Sequence, residues 1–129
     1  MTEQSSRKQK VLLVEDSVIN QKLLLYMLKN ENYEVVLATN GQEAVDRYKE
    51  CPFDFILMDV QMPVMDGIQA TRIIRELELA SGNHTPIIAV TAGMDRGSCM
   101  NAGMDDYIEK PVRVPVFHEV VARVSMCGQ

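Results

Sequence analysis

The sequence predicts an α/β fold, an open parallel sheet wound on both faces by helices. Two observations predict it. Five short apolar runs recur along the 129 residues: Val11–Val14, Val35–Ala38, Phe55–Met58, Ile87–Val90 and the weaker Tyr107–Ile108. The stretches between them carry apolar residues at helical spacing. The runs are continuous rather than alternating, as expected for strands covered on both faces. A helix after every strand, with right-handed crossovers, makes the sheet parallel.

Each element has its own signals. In the first helix, Ile19, Leu23 and Met27 fall at i, i+4 and i+8, and Ser17 can cap it. Asn40 with Glu43 three residues on resembles a capping box for the second. Asp66-Gly67 turns the chain into the third, where Ala70, Ile73, Ile74 and Leu77 share a face. Gly82-Asn83 and Thr85-Pro86 separate that helix from the fourth run. The last helix offers Val116, Val120 and Val124 on one face. Pro115 suits its first turn, whereas Arg113 is a poor cap.

Composition bounds the function. With 47% hydrophobic and 24% charged residues, one packed domain is expected over 9–126, with a flexible arm at 1–8 and a tail at 127–129. The net charge of -5 argues against direct nucleic-acid or membrane binding, which need cationic surface. No apolar run is long enough to cross a bilayer, and the polar start MTEQSSRKQK is not a signal peptide. Cys51, Cys99 and Cys127 lack CxxC spacing and are odd in number. A reduced, cytoplasmic protein is expected, with the cysteines as packing or surface residues. His84 and His118 are expected at the surface.

The informative residues trail the apolar runs. Glu15-Asp16 follows the first, Asp59 the third and Lys110 the fifth, while Thr91 follows the fourth. Open α/β sheets place their sites beyond the carboxyl ends of the strands, where strand order reverses. A flavodoxin-like (βα)5 order, 2-1-3-4-5, makes strands 1 and 3 neighbours and brings Glu15, Asp16 and Asp59 to one crevice. Clustered carboxylates repel, and a hard divalent cation relieves that. Oxygen donors suit Mg²⁺, with Mn²⁺ as the alternative, rather than zinc. A carboxylate beside such an ion can act as a nucleophile and form an aspartyl-phosphate. Thr91 can donate to a phosphoryl oxygen, and Lys110 can pair with another. Ala92 is small and leaves the pocket open, and a cis Lys110–Pro111 bond would help aim the lysine.

Two rival chemistries fit less well. A flavodoxin-like cofactor binder needs a phosphate loop where Glu15-Asp16 stands. A dehalogenase-type phosphatase typically has a second Asp where Gln61 stands.

The segments VLLVEDSVINQKLL, FDFILMDVQMPVMDGIQATRIIR, TPIIAVTAG and AGMDDYIEKPV resemble the receiver domain of response regulators in two-component signalling. The likeness covers about residues 9–126, and VEDSVINQ and DVQMPVMDG are similar to receivers of hybrid histidine kinases. The resemblance implies that Asp59 is the phospho-acceptor, with Thr91 and Lys110 as the hydroxyl and lysine of the site. It implies Mg²⁺ ligands at Asp16 and Asp59, Glu15 acting through water, and the Gln61 backbone carbonyl. It makes Tyr107 the aromatic switch partner of Thr91. It places an output surface on the fourth helix, fifth strand and fifth helix, roughly residues 94–125, for an effector protein or domain. The phosphoryl donor would be a histidine kinase or a histidine phosphotransfer protein. Such a domain carries out its own phosphorylation and dephosphorylation without being a conventional enzyme, whether alone or within a hybrid kinase. Gln61 and Gly93 would flank the pocket and affect the attacking water. The rival within the family is a binding-only pseudo-receiver that keeps the fold and takes no phosphate. Glu15 in place of an Asp and the early Pro115 are the departures from the family pattern.

Overall fold

In this computed structural model the chain is described over residues 9–60, 65–92 and 96–127. Strands and helices alternate: β1 (Lys10–Val14), α1 (Val18–Asn30), β2 (Glu34–Ala38), α2 (Gly41–Glu50), β3 (Phe55–Asp59), α3 (Gly67–Ser81), β4 (Ile87–Thr91), α4 (Arg96–Ala102), β5 (Asp106–Glu109) and α5 (Val114–Cys127). All strand pairs are parallel, in the order β2-β1-β3-β4-β5. The expected topology is therefore observed.

The period of two along each strand divides the core. Leu12, Val14, Ile56, Met58, Ile87 and Ala89 face one side, packed with Ala44 and Val45 of α2, Ala70 and Ile74 of α3, and Cys99 of α4. Val11, Leu13, Phe55, Leu57, Ile88 and Val90 face the other, against Leu24, Met27 and Leu28 of α1 and Phe117, Val120, Val121 and Val124 of α5. The three central strands are buried almost throughout, which explains their unbroken apolar runs. The edge strands β2 and β5 are only partly buried.

The caps form at the expected residues. Ser17 Oγ accepts from the Asn20 N–H, Asn40 Oδ1 from the Glu43 N–H, and Asp66 Oδ1 from the Gln69 N–H. The box on α2 closes one residue earlier than expected, because Glu43 Oε1 accepts from the Thr39 N–H at 2.8 Å rather than from Asn40. That backbone hydrogen bond holds the Glu43 carboxyl below its usual range. Gly82 ends α3 at φ 80°, the left-handed region a glycine enters without strain.

Two helix faces differ from expectation. Leu24, Met27 and Leu28 are the buried residues of α1, whereas Ile19 is 80% exposed and Leu23 45%. A 3.6-residue turn lets a row at i, i+4, i+8 drift off the contact line, and only Met27 of that row remains on it. On α5 Val116 is exposed, and Phe117 and Val121 join Val120 and Val124 in the core. Cys99 is buried and Cys51 partly so, and neither is in a disulfide.

At the amino ends of the strands lies a charged network that sequence pattern did not reveal. Arg75 on α3 donates to Glu78 Oε1 at 2.6 Å, to Asp105 Oδ2 at 2.7 Å, and to the carbonyls of Thr85 and Gly103. Glu78 Oε2 accepts from Tyr48 at 2.8 Å and from the Thr85 N–H at 2.7 Å. Burial raises the Glu78 pKa, but the Thr85 N–H, Arg75 and Tyr48 together outweigh it and hold the carboxyl below its usual range. Tyr48 is pushed up by burial and by Glu78. His84 and His118 are exposed as expected, each beside a carboxylate: Asp105 at 2.7 Å and Glu31 at 3.0 Å.

Glu78→Gln is expected to cost about 3 kcal/mol at pH 7, because it leaves Arg75 and its neighbours with a neutral partner. A depressed folded pKa contributes stability above the ordinary value of 4.5, and that contribution is lost as pH falls through the folded value. The gap between variant and wild type in urea unfolding therefore narrows as pH is lowered below 4.5. A constant gap would contradict the assignment.

Candidate acidic phosphoryl site

The site is built by register. Val14 pairs with Met58, so the residues that leave the sheet next are Glu15 and Asp59. Asp59 still pairs with Val90 on β4, and Thr91 pairs with Glu109 on β5. One residue on, the Lys110 N–H donates to the Thr91 carbonyl at 2.7 Å. Four strand ends thus present their side chains at one end of the sheet.

Burial there is deep for charged groups. Glu15 is 1% exposed, Asp59 3% and Thr91 2%. Asp16 is exposed at the rim. Carboxylate oxygens of Glu15, Asp16 and Asp59 lie within 4.8 Å of one another. Two buried carboxylates at that separation repel by about 3 kcal/mol at an effective dielectric near 20. The Lys110 ammonium partly offsets this from 3.4 Å off Asp59 Oδ1 and 3.5 Å off Glu15 Oε1. The Lys110–Pro111 peptide bond is cis. Ala92 is exposed beside the site, and Tyr107 is half-buried two residues before Glu109. Gln61 and Gly93 lie outside the described residues.

The residues present fit a hard divalent cation. Among the described residues the side-chain donors are all oxygen, the Lys110 ammonium stands beside two of the three carboxylates, and Glu15 Oε1 is buried without a hydrogen-bond donor. Such an atom is costly unless a cation or water meets it.

Two glycines let the surrounding loops close in. The Gly67 N–H donates to the Val60 carbonyl at 3.0 Å, and the Gly41 N–H to the Met65 carbonyl at 2.9 Å. A Cβ on Gly67 would press on the Asp59 carbonyl and stand 2.8 Å from Met58 Cγ. The first turn of α1 also serves the site, which sequence reading missed. Gln21 Nε2 donates to the Glu15 carbonyl at 2.7 Å, and the Ser17 N–H donates to Glu15 Oε2 at 3.1 Å. Polar Asn20 and Gln21 beside an apolar stretch were the available signal.

Comparison with known proteins identifies the family of the chain. The family model for the response regulator receiver domain matches residues 11–122. The chain belongs to that family. This receiver is 41% identical over 121 residues to hybrid signal transduction histidine kinase I of Dictyostelium discoideum, covering 88% of the chain and 7% of that protein. It is 40% identical over 126 residues to the histidine-protein kinase BarA of Escherichia coli strain K12, covering 95% of the chain and 14% of the relative. The chain therefore spans a small fraction of the curated relatives' length. Among solved structures it resembles the receiver domain of the sensor histidine kinase PA1611 from Pseudomonas aeruginosa PAO1, with 39% identity and a TM-score of 0.84. The match covers 93% of this chain and 99% of that one, which holds a magnesium ion in its active-site cleft. The Saccharomyces cerevisiae Ssk1 receiver, crystallised with the phosphotransfer protein Ypd1, is 36% identical with a TM-score of 0.81. That match covers 94% of this chain and 89% of the other. Among the described residues no helix is long and apolar enough to cross a membrane.

Gly67→Ala tests the close approach beneath Asp59. It is expected to lower stability by about 1–3 kcal/mol, although alanine favours a helix more than glycine does. Urea unfolding that shows unchanged or raised stability would contradict the contact.

Proposed function

We propose that this receiver takes a phosphoryl group from a phosphohistidine onto Asp59 and uses it to reset its surface. The observation that carries the reading is the buried Asp59 carboxylate beside Glu15 and Lys110, at the end of the central strand. In the reaction one Asp59 oxygen attacks phosphorus, an O–P bond forms, the N–P bond breaks and the imidazole leaves. Lys110 pairs with a phosphoryl oxygen, and Thr91 donates its hydroxyl to another. Mg²⁺, or Mn²⁺ in its place, would be held by Glu15, Asp16, Asp59 and the Gln61 carbonyl, and supplies neutralisation of the phosphoryl charge. Fixed positive charge in a site of low water content lowers the barrier because charge is spread over those oxygens in the transition state.

The donor is a histidine kinase or phosphotransfer protein. Its docking is supported by an exposed apolar face that starts two residues after Asp16: Val18, Ile19, Leu23 and Tyr26. An apolar face beside the crevice suits a helical partner that must bring its histidine over Asp59. The Ssk1 receiver's complex with Ypd1 supports a partner of this class.

The output lies on α4, β5 and α5. Arg123 of α5 donates to Asp106 of β5 at 2.8 Å, which links those two elements. A new dianion on Asp59 draws in the Thr91 hydroxyl, and Tyr107 follows into the space left. That is a population shift biased by one local charge.

Incubation with acetyl phosphate and Mg²⁺ should add the mass of one phosphoryl group to the intact protein, and Asp59→Asn should abolish it. Labelling of the variant would move the acceptor elsewhere. No labelling of the wild type would favour a binding-only pseudo-receiver.

A further inference from the structure

Glu15 is fixed at three atoms and open at a fourth. Its N–H donates to the Ala38 carbonyl at 3.0 Å. Its carbonyl accepts from Gln21 Nε2 at 2.7 Å. Its Oε2 accepts from the Ser17 N–H at 3.1 Å and from Asn20 Nδ2 at 3.5 Å. Oε1 is buried, accepts no hydrogen bond from the described residues, and has the Lys110 ammonium at 3.5 Å.

A glutamate side chain has three rotatable bonds, and a buried carboxylate turns toward whatever donors it can reach. Here the Ser17 N–H and Asn20 Nδ2 occupy one oxygen, and the other lies 3.5 Å from the Lys110 ammonium, which also stands 3.4 Å from Asp59 Oδ1. Without the Asn20 and Gln21 side chains, Oε2 would keep the Ser17 N–H alone and the Glu15 carbonyl would lose its side-chain donor, so the carboxylate could turn further toward Lys110. That would satisfy the glutamate and remove an oxygen from the acidic cluster.

We propose that Asn20 and Gln21 are positioning residues for the cation site. Gln21 holds the Glu15 backbone and Asn20 adds to the Ser17 N–H in holding Oε2, so that Oε1 stays on the Lys110 side of the acidic cluster, open to a hard divalent cation or its bound water. The proposal rests on the divalent-cation reading above. Partners of metal ligands commonly act this way, since they set ligand orientation before the ion arrives. Both side chains are separable from the helix cap. Ser17 caps through the Asn20 backbone N–H, and the Ser17 carbonyl accepts from the Gln21 backbone N–H at 2.8 Å. Side-chain substitution leaves those bonds in place.

The test is calorimetric Mg²⁺ titration of the wild type, Asn20→Ala, Gln21→Met and the double variant. Gln42→Ala serves as control, because among the described residues the Gln42 side chain bonds to Asp46 alone, on the exposed side of α2. Thermal unfolding in chelator is measured alongside. The double variant should bind Mg²⁺ about tenfold more weakly, with the metal-free midpoint within about 2 °C of wild type. A merely structural role would lower the metal-free midpoint and spare Mg²⁺ affinity. That result, or an unchanged affinity in all variants of a protein that binds Mg²⁺, would overturn the proposal. A wild type that fails to bind Mg²⁺ would overturn the cation reading and this inference with it.

Discussion

Two carboxylates buried side by side at the ends of adjacent strands are the constraint around which the site is organised. Glu15 and Asp59 repel each other there, and one lysine ammonium at 3.4–3.5 Å offsets part of that repulsion. The parallel register brings them level. The Lys110 N–H bond to the Thr91 carbonyl brings the lysine and the hydroxyl into the same corner. Gly67 lets α3 begin against the backbone of Asp59. The register and Lys110 gather charge at one end of the sheet, and the acidic excess there suits an additional positive charge.

The opposite end handles buried charge differently. Arg75 sits between Glu78 and Asp105 and gives hydrogen bonds to both, while Tyr48 and the Thr85 N–H occupy the remaining Glu78 oxygen. That network is internally satisfied and ties α2, α3, β4 and the start of β5 together. A satisfied network stiffens its surroundings, whereas an unsatisfied oxygen such as Glu15 Oε1 invites a ligand. The molecule thus has a closed electrostatic end and an open one. A charge added at the open end would act on β4 and β5 through strand ends whose far ends are anchored.

The sequence made the central strands legible because they are covered on both faces and so read as unbroken apolar runs. Strand-end residues were legible for the same reason, since an acid directly after such a run can only lie at the sheet's carboxyl edge. Helix faces were harder. Ile19 and Leu23 are apolar and correctly spaced, yet they are exposed, because spacing alone cannot say which side of α1 meets the sheet. Val116 failed in the same way, with Phe117 taking its place in the core. The Arg75 network was invisible because its members are separated by up to 30 residues and each alone looks like surface charge. Asn20 and Gln21 were passed over because amides in a helix ordinarily face water. Their role depends on the Glu15 turn that folds back over them.

The central claim concerns shared occupancy of Glu15, Asp16 and Asp59 by one divalent ion. Crystals grown with Mn²⁺ and measured for anomalous scattering test it most directly, because the signal locates the metal without reference to activity. The account predicts one strong peak within coordination distance of the Asp16 and Asp59 carboxylates, with Glu15 Oε1 facing it directly or through one water. A peak elsewhere, or none at the strand ends with Lys110 still bridging Glu15 and Asp59, would contradict it.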